Sequence, residues 1–147
     1  MTRMKLANLW GTAPTPETAP NPYLEQFTHG TFKGVLTWEA LDALWGRVAQ
    51  RAGEGWYVYD LAHAPPGDPF SETQLADFLA RTGEWLRQRQ KQDHCGMVYV
   101  DSHETPAFLL VYDPKNAGSS CGVGGKRTLP AYTVSLLSPV DLKLAFD

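Results

Sequence analysis

Two cysteines in 147 residues are too few for a disulfide framework. Long apolar runs are missing as well. No stretch approaches the roughly 20 residues that span a bilayer. The opening Met1-Thr2-Arg3-Met4-Lys5-Leu6 is basic, but the polar, proline-broken Gly11–Pro22 follows it where a signal peptide needs an apolar core. Charge of one sign is scarce too. Residues 1–70 hold five basic and seven acidic side chains, and residues 71–147 hold eight and nine, for a net charge of -3. Nucleic-acid affinity begins with a dense positive footprint, and this chain has none. These absences point to a soluble, cytoplasmic protein with free thiols, acting on neither membrane nor nucleic acid.

What is present is an ordinary globular composition, 43% hydrophobic and 20% charged. One domain is the expectation at this length. Residues 1–22 read as an extended proline-rich arm and residues 23–147 as a single α/β domain. The arm's prolines fall at 14, 16, 20 and 22, a spacing that never gives Pro-x-x-Pro. Within the arm, Leu6 to Trp10 reads as a segment able to dock on the domain as a tethered strand.

Along the domain, Phe32–Leu36 reads as a strand leading into a helix over about 37–52. Thr37 is its N-cap, and Leu41, Leu44, Trp45, Val48 and Ala52 share one face. Trp56–Leu61 is aromatic and β-branched, hence a strand. Three prolines in 63–70 end it. Ser71 and Gln74 form a capping box at the head of a second amphipathic helix, with Leu75, Phe78, Leu79, Thr82, Trp85 and Leu86 on one stripe. Gly96–Asp101 and Ala107–Tyr112 are nearly all apolar and closely joined, which predicts an antiparallel hairpin covered on both faces. Ala131–Leu137 supplies the last strand, and 139–147 is left unassigned. The expected fold is mixed α/β of the α+β type. One mixed sheet of about five strands, in chain order β-α-β-α-β-β-β, carries two packed helices. A β-α-β crossover over 56–101 would be right-handed if its strands were parallel neighbours.

If Asp101 opposes Ala107, then Gly96 opposes Tyr112, and two distant stretches meet at one sheet end. These are the Asp93-His94-Cys95 segment and the Gly/Ser-rich 113–130. Four kinds of chemistry compete there. A nucleotide P-loop fails. Its first glycine position holds Ser120, Arg127 replaces the Ser or Thr after Gly125-Lys126, and Pro130 blocks the helix that should follow. A metal site needs convergent ligands. His94 and His103 are about 30 Å apart if the strand between them is extended. Cys95, Cys121, His94 and Asp113 lack any metal-type spacing. No metal and no cofactor are therefore assigned. Thiol chemistry would use Cys121 as nucleophile, with Lys126 and Arg127 lowering its pKa, His94 as base and Asp93 or Asp113 as orienter. The fourth reading is a surface that binds without reacting, through Cys95, Ser119, Ser120, Gly122, Lys126 and Arg127, since loops this long usually carry a role.

The sequence by itself does not name the reaction or the ligand. The expectation is a small binding or accessory protein using 113–130 to meet an unidentified protein or small molecule. The alternative is a cysteine-dependent enzyme or thiol redox protein using Cys121. A homo-oligomer is compatible with either. A second site is read at Asp60 and His63, on what the expected topology makes the opposite edge.

Overall fold

The computed structural model describes residues 21–90, 94–114 and 129–146. Residues 1–20 of the arm expected over 1–22, and most of 113–130, thus lie outside the described residues, while Asn21 and Pro22 begin a helix. Among the described residues, four α-helices and five strands form one α+β domain. Helix α1 spans Pro22–His29, β1 Lys33–Thr37, α2 Trp38–Gln50, β2 Tyr57–Asp60 and α3 Glu72–Arg89. Strands β3, His94–Val100, β4, Phe108–Val111, and β5, Tyr132–Ser135, are followed by the short α4, Leu142–Phe146.

The helix starts follow their local chemistry. Thr37 Oγ1 accepts from the Ala40 N–H at 3.0 Å. At α3 the Gln74 N–H donates to Ser71 Oγ at 3.1 Å while Gln74 Oε1 accepts from the Ser71 N–H at 2.8 Å. The reciprocal box satisfies two donors that the helix itself leaves unpaired. Helix α1 was not anticipated. Asn21 caps it by accepting from the Leu24 N–H at 2.9 Å, and Pro22 occupies the first turn, where a missing N–H costs nothing.

The strand order is β1-β3-β4-β5-β2. Every described pairing is antiparallel, so the sheet is not mixed as expected. Strand β2 pairs with β5 at the far edge instead of neighbouring β3. The crossover expected over 56–101 therefore joins strands that are neither parallel nor adjacent.

The hairpin register also differs from expectation by one residue. Val98 faces Val111 and Val100 faces Leu109, which places Asp101 beside Phe108 and Met97 beside Tyr112. The cause is in the turn. Asp101 Oδ1 accepts from the N–H groups of Ser102, Ala107 and Phe108 at 2.9, 3.0 and 3.2 Å, so the carboxylate takes the Ala107 donor that the expected register gave to the ladder. A one-residue slip exchanges the two faces of a strand. The actual register sets Val98, Val100, Leu109 and Val111 on one face, under α2 and α3.

Helices α2 and α3 cover that face through Leu41, Leu44, Val48, Leu75, Leu79 and Leu86, all buried. The Trp45 indole N–H donates to the Leu79 carbonyl at 2.8 Å and ties the two helices together. The opposite face packs Tyr59, Phe108 and Leu110 against Tyr23 and Phe27 of α1 and Leu142 of α4. No helix among the described residues is long and apolar enough to cross a membrane.

Candidate functional site

Three strand ends meet at one end of the sheet. Tyr132 opens β5 and lies opposite both Asp60, the last residue of β2, and Val111, the last of β4. The Leu61 N–H to Ala131 carbonyl bond, 3.0 Å, and the Ala131 N–H to Val111 carbonyl bond, 2.8 Å, hold these ends in line. Alternation along β5 turns the Tyr132 ring toward the α3 side, with Val134.

Helix α3 ends over the same place. Its Trp85 ring stands edge-on to Tyr132, and one turn later the Arg89 guanidinium lies 5.3 Å from the centre of the Trp85 ring. Arg89 also reaches Asp113, with 3.7 Å between Nη1 and Oδ1. A cationic side chain in the last turn suits the helix's negative pole.

Between these elements lies a cleft of about 440 Å³. Aromatic walls come from Trp85, Tyr112 and Tyr132, and charged groups from Asp60, Asp113 and Lys143. Asp60 Oδ1 accepts from the Ala62 N–H at 2.9 Å, and its Oδ2 lies 3.8 Å from His63 Nε2. The Tyr132 phenol is pushed above its ordinary pKa, first by burial and then by the negative charges of Asp60 and Asp113. A second groove of about 480 Å³ runs along α3, where Phe70 and Phe78 continue the aromatic wall and Trp85 and Tyr132 are shared with the first.

Asp60 and Asp113 lie at one end of the sheet, not at the opposite edges that the sequence predicts. Strand β2 is antiparallel to β5, which is antiparallel to β4, so β2 and β4 run the same way and both end here. Asp60 and Asp113 thus line one cleft, while His63, beside Asp60, is exposed outside its lining. Trp85 and Tyr132 were missed as site residues, because an aromatic on a helix stripe reads first as core. The available signal was their meeting with two acids, and that depends on strand order.

Of the remaining candidates, Cys95 and the His94 backbone are among the described residues. Cys95 is wholly buried in the core under α2 and α3, and burial pushes its thiol pKa up. Such a thiol is a poor nucleophile and presents no surface to a ligand. The His94 backbone begins β3 opposite Thr37. Cys121, Ser119, Ser120, Gly122, Lys126 and Arg127 lie outside the described residues, as does the His94 imidazole. Among the described residues no three His, Cys, Asp or Glu side chains are grouped as metal ligands. Asp113 and Leu129, which flank the long Gly/Ser-rich stretch, both line the cleft. No family model, curated protein or solved structure matches the chain.

Proposed function

We propose that the protein is a small binding or accessory protein whose ligand or partner seats in the Asp60–Trp85–Asp113–Tyr132 cleft and meets 113–130 there. One observation carries this reading: Asp113 and Leu129, at either end of that stretch, line a concave site with aromatic walls and a few converging charged groups. Concave apolar surface with a small number of placed polar groups is what ligand sites generally offer. The same reading takes the protein as soluble and cytoplasmic, supported by a free Cys95 and the lack of a membrane-crossing helix among the described residues.

Ligand-observed NMR on the full chain tests it, with a fragment set spanning amines, carboxylates, aromatic rings and short peptides. Binders should lose affinity in Trp85→Leu and in Asp60→Asn. Binders indifferent to both substitutions would place recognition elsewhere and end the proposal. The alternative, thiol chemistry at Cys121, has one support in the structure: Asp113, one of its two expected orienters, stands at the cleft. That carboxylate already faces Arg89, which favours the binding reading.

A further inference from the structure

The α1 side of the sheet is covered unevenly. Over β2, β5 and β4 it is sealed: Tyr59 is 0%, Phe108 1% and Leu110 7% exposed. Tyr99 on β3 pairs with Leu110 and with Gly34 of β1, so it stands on the same face, yet it is 37% exposed. Leu36 of β1 is 67% exposed. The two are neighbours, since a methyl group built on Gly34 would lie 3.4 Å from Leu36 Cδ2 and 3.6 Å from Tyr99 Cε2. Leu36, Tyr99 and Leu144 are the exposed large hydrophobics among the described residues, and two of the three make this strip.

We propose that residues 6–10 of this same chain, Leu6-Ala7-Asn8-Leu9-Trp10, cover the Leu36–Tyr99 strip. The origin of the arm favours it. Asn21 caps α1, and α1 lies on this face, with the Tyr23 ring stacked on Phe108 at 5.0 Å. From β4 to β1 is two strand spacings, about 10 Å. Ten residues separate Trp10 from Asn21, and the eleven steps between the two reach about 35 Å when extended. The prolines at 14, 16 and 20 favour extension and reduce the ordering cost. Leu6, Leu9 and Trp10 are the bulk of the arm's large apolar surface, and the strip brings together two of the three large hydrophobics that are exposed among the described residues.

A second copy of the chain is the rival occupant, and two observations disfavour it. Two side chains are far less than the roughly 800 Å² that each partner of a stable complex commits. Strand β1 is an edge strand, but Lys33 and a register irregularity between Val35 and Thr37 blunt it against edge-to-edge pairing. A tethered segment needs less surface, because a short linker holds it at an effective concentration in the millimolar range.

The test uses the full chain labelled with 5-fluorotryptophan, with Trp10 assigned through Trp10→Phe. The expected Trp10 signal shows little solvent isotope shift, and Leu36→Ser moves it to the position of an exposed tryptophan. In parallel, the Leu6→Ser, Leu9→Ser, Trp10→Ser triple variant should speed amide exchange over 33–37. A segment held at about 1 mM on a site of about 0.1 mM affinity protects about tenfold, and that protection is what disappears. A wild-type Trp10 signal with the full isotope shift overturns the proposal. So does protection over 33–37 that rises with protein concentration, which would assign the strip to a second copy.

Discussion

The Trp85 and Tyr132 rings meet edge to face, their centroids 5.9 Å apart and their planes at 88°. Tyr132 also meets Phe78 edge to face, at 5.2 Å and 75°. The contacts join α3 to the first residue of β5 and form the wall shared by the two concave sites. Trp85 is half-buried, so Trp85→Ala should cost about 2–3 kcal/mol, below the roughly 3–5 kcal/mol of a fully enclosed ring. Urea unfolding reads this directly. A midpoint equal to that of the wild type would mean that the ring carries no packing.

The capping box at α3 gives a smaller and sharper expectation. Ser71→Ala removes the acceptor of the Gln74 N–H, and should cost about 1 kcal/mol. Ser71→Asp keeps an acceptor there and should recover most of the loss. Thermal unfolding of the pair separates a capping effect from a packing one, since Ser71 is exposed.

Asp101 sets the β3–β4 register through three accepted hydrogen bonds, all to Oδ1. Asp101→Ala leaves partly buried N–H groups without that acceptor and should cost about 2 kcal/mol. Asp101→Asn keeps an oxygen at Oδ1 and should lose less than half as much. Equal losses in the two variants would show that charge, not acceptance, holds the turn.

What the sequence revealed and what it hid divide along the range of the interactions. Thr37, Ser71 and Gln74 act on neighbours three residues away, and the helix stripes repeat locally, so both long helices were legible. Helix α1 carried its signal in Asn21-Pro22, but the adjacent prolines made that pair read as the end of the arm. Strand order is another matter. Nothing local tells β2 to pair with β5 rather than β3, and that one choice moves Asp60 across the sheet to Asp113. The hairpin was legible while its register was not, because a side chain, Asp101, takes a donor that the expected backbone ladder would have used. The candidate cleft therefore became visible only with the tertiary pairing, although Asp60, His63 and Asp113 each stood out as residues.

Alkaline pH should weaken the fold, with a sign that follows from three phenols. Burial raises the pKa of Tyr23, Tyr59 and Tyr132 above the ordinary value, in each as the main cause. Groups raised in the folded state contribute stability that is complete below the unfolded pKa near 10 and is lost as pH rises beyond it. Tyr23 donates to or accepts from Thr133 Oγ1 at 2.7 Å in the α1-side core. Tyr23→Phe should therefore cost about 1 kcal/mol at neutral pH and flatten the decline above about pH 10. Urea midpoints at pH 8 and pH 11 check both parts, and an unchanged slope in the variant would acquit Tyr23.

The two functional classes are separated by the two cysteines. Cys95 is buried and its thiol raised, so its alkylation should be slow at any pH where the fold persists. It serves as the internal standard. If Cys121 is a working nucleophile, Lys126 and Arg127 stabilise its thiolate, and its pKa falls below the ordinary value of about 8.5. Iodoacetamide would then label it quickly near neutral pH, and a Lys126→Ala, Arg127→Ala double variant would slow the reaction. A binding surface requires none of this: Cys121 would follow a simple thiol across the pH range, and the double variant would leave its rate alone. Peptide mass analysis of labelling from pH 6 to pH 10 distinguishes the cases at each cysteine. The binding reading expects the ordinary profile, and of the two carboxylates proposed to orient the base, Asp113 already faces Arg89 at 3.7 Å. A fast Cys121 that slows in the double variant would move the protein into the enzyme class and make Asp113→Asn the next substitution to measure.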